Sequence, residues 1–533
     1  MRRISRRDFL ATSAALGALP LVRCAPGPGA PGTSPVFRHG VASGDPLADR
    51  VVLWTRLTAE GRDAVDVSWT LASDRNLSQV VARGETRTGV ARDHTVKVDV
   101  GGLEPGTTYY YRFDALGDRS RIGRTRTLPA AGVERLRLAV VSCANLPFGY
   151  FNAYGAIAAR PDLDLVLHLG DYYYEYANNN YGGRPEGDGT RFGRVPQPDR
   201  ETIALADYRA RHAQYKSDPD LQEIHRQHPF IAVWDDHEFA NNAWRGGAQN
   251  HNPGEGDWYV RRNAAMRAYF EWMPIREDGQ ALGPRIYRTF QLGGLADLIM
   301  LDTRLVGRDE QVARDDVALI EGPGRSILGA GQEHWLAGEL VESVRAGTRW
   351  QVLGQQVIFA PQAPEGQPSA NADSWDGYRA CRDRVFDMAE AAGAGNLVVL
   401  TGDAHSNWAY DLPRRPFDDF DPATGRGSVG VEIVGTSVTS PSTIGAGPAG
   451  EAMLARILAS RPHLHYVDGR YRGYVVVDLT AARLQADFFT MRTIEDRSLD
   501  ETFARGFVAE AGRMHLEAAG SPAAAGEARE PAP

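Results

Sequence analysis

Apolar positions along this chain come in short runs that stop abruptly at polar clusters. Leu397-Val398-Val399-Leu400 gives way to Gly402-Asp403-Ala404-His405. Leu163–Leu169 runs into Gly170-Asp171-Tyr172-Tyr173-Tyr174. Phe230–Trp234 runs into Asp235-Asp236-His237-Glu238, followed by Asn241-Asn242, and Leu136–Ser142 delivers Cys143. Runs of this length bounded by turn residues predict buried strands. Gly402 lets the backbone turn sharply at a strand end. Open α/β sheets place their sites at the carboxyl ends of strands. Four such ends here present Asp, His, Asn, Tyr and Cys, the oxygen, nitrogen and sulfur donors of a metal centre.

Between residues 131 and 517 the pattern predicts six apolar strands: Leu136–Val141, Leu163–Leu169, Phe230–Trp234, Leu298–Leu301, Trp350–Leu353 and Leu397–Leu400. Helical spacing covers Ala206–Lys216, Pro219–Gln227, Trp258–Met273, Gln332–Ala346 and Asp376–Ala392. Later β-rich stretches, Val429–Val434, Tyr471–Leu479 and Ala486–Thr490, read as antiparallel additions. Alternation of strands and helices predicts a layered α/β domain. Residues 33–130 read differently. Val51–Arg56, Val65–Leu71, Gln79–Glu85 and Thr95–Val100 are short strands separated by turns, and Leu103-Glu104-Pro105 feeds the Tyr-rich stretch Tyr109–Arg112. That order resembles the late strands of a fibronectin type III domain and predicts a β-sandwich. Residues 518–533, rich in Ala, Gly, Glu and Pro, lack the apolar content to pack and are expected to be disordered.

The 533 residues exceed one ordinary domain, in line with this division. The net charge of −9 excludes a general nucleic-acid binder, which needs a basic face, but not a small anionic substrate. Residues 1–32 read as a twin-arginine export signal: Arg2-Arg3 and Arg6-Arg7-Asp8-Phe9-Leu10, then the weakly apolar Ala11–Val22 and a Pro/Gly/Ala exit. The expected partner is the twin-arginine export machinery, and the expected location is periplasmic or extracellular. Cys24 follows Leu21-Val22-Arg23, and the charged Arg23 argues against a lipoprotein. Cys143 is read as a metal-bound thiolate at a strand end, and Cys381 as structural. Carboxylates such as Asp171 and Asp403 can hold cations between them, and Asp171 can bridge two. His405, two residues past Asp403, lies on the same turn.

Taken in order, FRHGVASGDP, VLWTR, Ser142-Cys143, GDYYYEY, WDDHEFANN, Leu301–Arg304 and TGDAHSNW resemble the PhoD-type alkaline phosphatases over about Phe37 to Phe507. The resemblance implies a fibronectin-like N-terminal domain and a calcineurin-like layered metallophosphatase domain. It implies hydrolysis of phosphomonoesters and phosphodiesters outside the cytoplasm, with one Fe³⁺ and two Ca²⁺. Carried over by position, it places Fe³⁺ on Cys143, Asp171, Tyr174 and Asp403. It places Ca²⁺ on Asp171, Asn241 and His405, with Asp236 or His237 close by. Other divalent metals are the alternative. Arg184, or else Arg191, is the expected phosphate contact. Thiolate and phenolate suit ferric iron, and carboxylate and amide oxygens suit calcium.

The expected chemistry is in-line attack at phosphorus by metal-held hydroxide or an oxo species, since the chain has no GxSxG nucleophile signature. The expected substrates are phosphate-ester small molecules, and a monomer is expected. Two other readings remain at this point. One is a phospholipase D-like diesterase acting on phospholipids or wall polymers. The other is a binding protein with a degenerate site.

Overall fold

The computed structural model describes residues 34–277 and 285–533. The twin-arginine start, the apolar run after it and Cys24 lie outside the described residues. All six expected strands form, with ends that move by at most two residues. They divide between two sheets. Arg135–Val141, Leu165–His168 and Pro229–Ala232 lie side by side and parallel in a ten-stranded sheet. Ala296–Met300, Trp350–Gln355, Leu397–Thr401 and Ser428–Val434 run parallel in a seven-stranded sheet.

The two sheets face each other across one apolar core. Leu138 and Val140 of the first share it with Leu298, Val398 and Leu400 of the second. The alternate residues Leu397 and Val399 point the other way, as the two-residue period of a strand requires. They meet Leu336 and Leu340 of the helix Gly329–Arg345, and Val385 and Phe386 of the helix Arg379–Ala392. Burying each such side chain contributes about 1.5–3 kcal/mol, so strands buried on both faces anchor the loops at their ends. Ile157, Leu221 and Ile224 of the helices Asn152–Ala158 and Pro219–Gln227 pack with the ten-stranded sheet. The second of these helices starts where Pro219 fixes φ and Asp218 caps the N–H groups of Asp220 and Leu221.

The N-terminal module is a sandwich that shares one of its sheets. Ala64–Ala72, Val80–Gly89, Thr108–Ala115 and two short strands form a separate five-stranded sheet. Val67, Leu71, Tyr111 and Phe113 of that sheet pack on Val51, Leu53, Val96 and Val100. These last belong to Arg50–Arg56 and Thr95–Gly101, which sit at one edge of the ten-stranded sheet. The join is Val41–Gly44, which pairs in parallel with Pro229–Ala232. A boundary at residue 130 therefore divides the sequence but not this sheet.

The tail expected to be disordered is ordered. It crosses the amino ends of the parallel strands, opposite the site loops. The guanidinium groups of Arg135 and Arg137 donate to the Ala524 carbonyl. Gly526 N–H donates to Asp162 Oδ2 at 2.8 Å, Arg529 to Asp164 Oδ1 at 2.6 Å, and the Tyr110 hydroxyl to the Glu530 carbonyl at 2.6 Å. Charged side chains of the body satisfy the tail's backbone, a kind of anchoring that apolar content does not register. Among the described residues no helix is long and apolar enough to cross a membrane.

Candidate metal centre

Cys143, Asp171, Asp403 and His405 all take left-handed backbone conformations, with φ of +63°, +53°, +56° and +53°. Such values are uncommon outside glycine and gather at functional sites, where surrounding structure holds the strain. Gly170, at φ +100°, makes room: a Cβ there would lie 2.4 Å from the Asp235 Cβ and 2.6 Å from its backbone nitrogen. Glu238 ties two of the loops together. Its carboxylate accepts the N–H groups of Asp171 at 3.1 Å, Tyr172 at 2.6 Å and Asp235 at 2.8 Å.

The loops bring candidate ligand atoms into three adjoining groups, each within 4.8 Å: Cys143, Asp171 and His405; Asp171, Asp236 and His237; Asp235, Asp236 and Asp403. Tyr174 belongs to the first, its hydroxyl 2.8 Å from Asp171 Oδ2 and 3.0 Å from His405 Nε2. The partition differs from the expected one. His405 stands with the thiol and phenol, while Asp403 stands with Asp235 and Asp236. In extended chain two residues this far apart would share a face, and the left-handed backbone at both positions departs from that pattern.

Both histidines are oriented from behind. His405 Nδ1 lies 2.8 Å from the Pro441 carbonyl, and His237 Nδ1 lies 2.7 Å from Glu175 Oε2. Nδ1 thus carries a proton in each, which turns Nε2 toward the site, the orientation that metal-ligating histidines use. His405 Nε2 faces the Tyr174 hydroxyl. Burial lowers the His237 pKa, but Glu175 and Asp171 outweigh it and push it well above its ordinary range. Glu175 also accepts the Asn241 N–H at 2.7 Å. The Asn241 side-chain amide donates to Gln249 at 2.7 Å, leaving its carbonyl oxygen as an acceptor.

The group is rich in negative charge. Burial first, then the charge of Asp171, pushes the Cys143 thiol well above its ordinary range. Burial and Asp171 do the same to the Tyr174 phenol. Burial raises Asp171 strongly, although His237 opposes it. Asp403 keeps a quarter of its side chain exposed and rises only to about 6. Asp235 Oδ2 and Asp236 Oδ1 are buried without a hydrogen-bond partner. Carboxylate oxygens left this way among like charges fit a bound cation, which would reverse these shifts. Among the described residues the guanidinium that meets these carboxylates is that of Arg304, fully buried. It meets Asp235, Asp403 at 3.1 Å, Asp236 at 3.5 Å and Asp373 at 2.8 Å. Asp302 does not pair with it; its Oδ1 instead accepts the N–H groups of Arg304 and Leu305.

Arg184 sits on an exposed turn that bridges back to Tyr181, and Arg191 pairs with Glu495 at the surface. The geometry instead turns another arginine inward. Arg472 has a buried Nε with no hydrogen-bond partner, and its charge is felt by Tyr174, Tyr181 and His405. Tyr181 joins Tyr174, Tyr176 and His237 in an aromatic wall, with ring centres 5.5–6.4 Å away. Neither residue stood out in the sequence, because neither follows an apolar run.

Two facing sheets that gather such a group at their strand ends define a metal-dependent hydrolase of phosphate esters. Comparison with known proteins makes the assignment narrower. Residues 138–488 match the family model of PhoD-like phosphatases, and residues 23–129 match the N-terminal domain of the same phosphatases. Alkaline phosphatase D of Bacillus subtilis (strain 168) is 39% identical over 478 residues, which cover 85% of this chain and 77% of that protein. A solved structure of PhoD superposes with a TM-score of 0.82 at 36% identity, covering 93% of this chain and 94% of the other. The chain belongs to the PhoD-like phosphatase family and is a phosphoric ester hydrolase.

Proposed function

We propose that this protein is an exported alkaline phosphatase with phosphodiesterase activity, built around a mixed iron and calcium centre. The grouping of donors carries the reading. Cys143, Tyr174, His405 and Asp171 form a set with soft and phenolic donors that suits Fe³⁺. Asp236, Asp403 and the Asn241 carbonyl offer the oxygen donors that suit Ca²⁺, and Asp171 adjoins both sets. Bound cations there would supply acidified water and neutralise charge on phosphoryl oxygens. His237, oriented by Glu175, presents Nε2 to exchange a proton with the ester or leaving oxygen. Arg472 is placed to hydrogen-bond a phosphate oxygen, and Tyr181 to bound the leaving-group side.

Elemental analysis together with rates on mono- and bis-aryl phosphates tests this. One iron and bound calcium per chain, with turnover of both esters, is expected. Iron-free protein of full activity would remove the ferric half of the reading. A bis-aryl rate far above the mono-aryl rate would favour the lipid or wall-polymer diesterase. Export rests on the twin-arginine start. Replacing Arg6 and Arg7 with lysine should leave the enzyme inside the cell.

A further inference from the structure

A second set of metal-capable side chains lies away from the catalytic loops. The strand Asn407–Pro413 leaves the site just after His405 and carries Asp411 near its far end. Four residues of strand put about 13 Å between Asn407 and Asp411. Asp411 is fully buried. Its Oδ2 lies 2.7 Å from His515 Nδ1 and 3.1 Å from His465 Nε2, and all three ligand atoms fall within 4.8 Å.

Three features mark this as a built arrangement. First, the residues come from three strands and both sheets. Asn407–Pro413 and Leu464–Asp468 belong to the seven-stranded sheet, and Arg513–Ala519 is the edge of the ten-stranded one. Second, His465 is the extra residue of a β-bulge. Tyr466 pairs with Ala409 and Leu464 with Tyr410, so His465 has no opposite number and turns toward Asp411. Third, His465 Nε2 is buried and, though 3.1 Å from Asp411 Oδ2, makes no aligned hydrogen bond, while Asp411 Oδ1 is fixed by the Leu516 N–H at 2.9 Å. The carboxylate is held still, and an imidazole nitrogen lies close to it without a hydrogen bond.

We infer that Asp411, His465 and His515 form a second metal site, distinct from the catalytic centre, for a divalent transition ion of the zinc class. Two imidazoles and one carboxylate are the donors such ions prefer, and they are too nitrogen-rich for calcium or magnesium. Three protein ligands leave one position for water. A tetrahedral ion at about 2.0–2.2 Å from each donor would hold them roughly 3.4 Å apart, against the present 2.7 Å from Asp411 Oδ2 to His515 Nδ1 and 3.1 Å to His465 Nε2, so His515 would have to draw back by a little over half an ångström. His465 is 19% exposed, which gives the ion a way in from solvent. An ion here would clasp the edges of the two sheets and act on stability, not on turnover.

The test uses full-length enzyme with its catalytic metals in place, equilibrated with Zn²⁺ and freed of excess. Wild type should hold one more zinc per chain than the His465→Ala/His515→Ala double variant, at equal aryl phosphatase rates. Zn²⁺ should raise the melting temperature of wild type only. Equal zinc content in folded wild type and variant would overturn the site. If the double variant does not fold, wild-type crystals soaked in ZnCl₂ decide. An anomalous peak at the zinc edge between the three side chains supports the site, and none there refutes it. Failure would show the cluster to be a hydrogen-bonded inter-sheet tie and would leave the catalytic reading untouched.

Discussion

The Tyr174 hydroxyl stands 2.8 Å from Asp171 Oδ2 and 3.0 Å from His405 Nε2, while Ser440 Oγ donates to it at 2.7 Å. Ser440 Oγ also lies 3.0 Å from the Cys143 carbonyl, so its single proton is shared between the phenol and the loop that carries the thiol. The phenol oxygen is thus held at the meeting point of a carboxylate, an imidazole and, nearby, a thiol. Tyr174→Phe removes that oxygen and little else, since the ring keeps its packing on His237. Activity should fall by at least the roughly 10- to 100-fold typical of losing a group that supports a metal site. A ferric phenolate absorbs visible light, so the variant should also lose absorbance in that region. Unchanged spectrum and rate would remove Tyr174 from the centre.

Arg304 is the buried positive charge that holds Asp235, Asp236, Asp403 and Asp373 around it. Removing one partner of a buried pair costs about 3–5 kcal/mol, because the others stay desolvated and unpaired. Arg304→Met should therefore lower stability by at least that amount in the metal-free protein. Arg304→Lys keeps the charge but not the fork of donors, and should recover only part of it. Denaturant unfolding of the three proteins in chelator measures the difference. Equal midpoints would show the network to be energetically neutral.

These pairs also show what the sequence could and could not reveal. The strand ends were legible because a buried strand needs an unbroken apolar run, and because turn glycines mark where it stops. Cys143, Asp171 and Asp403 follow directly from that pattern. Glu175 and Glu238 sat inside the same motifs, yet their work is to accept N–H groups from loops distant in sequence, which no local pattern encodes. The grouping of His405 with Cys143 and of Asp403 with Asp235 and Asp236 comes with left-handed backbone at non-glycine residues, which no local pattern encodes. Arg472 follows no strand, so nothing local singled it out over Arg184. The shared sheet of the N-terminal module needed the pairing of Val41–Gly44 with Pro229–Ala232, a contact made only in the folded chain.

Metal binding should release protons and strengthen with rising pH. Cys143 and Tyr174 hold their protons tightly in the metal-free protein, because burial and the charge of Asp171 disfavour the anions. Both must lose them to act as ligands. The stability consequence has a definite sign. Asp171 and Asp403 have folded pKa values raised above their unfolded value, so their contribution is fully present below about pH 4. It is lost as pH rises, through about 6 for Asp403 and further up for Asp171. Metal-free protein should therefore melt at a lower temperature at pH 8 than at pH 5, and the metal-loaded protein should lose this trend. Scanning calorimetry with and without chelator checks it. A metal-free protein that grows more stable over that range would contradict the charge crowding described for the centre.

The last expectation decides between two arginines. Arg184 lies on an exposed turn, where a guanidinium keeps its hydration and gains little from meeting a phosphate. Arg472 is half-buried, its Nε has no partner, and burial lowers its pKa to about 10 against the opposing pull of Tyr181 and Tyr174. It stays protonated at working pH, and a buried donor without a partner is stabilised most by an arriving anion. Hydrogen bonds to charged groups contribute about 1.5–3 kcal/mol, so Arg472→Ala should weaken competitive inhibition by inorganic phosphate about 10- to 100-fold. KM for an aryl phosphate should rise in step, while Arg184→Ala stays near wild type in both. The phosphate inhibition constant is the sharper readout, since it reports anion binding without the chemical step. If Arg184→Ala instead weakens phosphate and Arg472→Ala does not, the turn must fold over the centre when substrate binds, and the inward arginine serves only to hold the Gly469 and Tyr471 carbonyls that its Nη1 now meets at 3.2 and 3.3 Å.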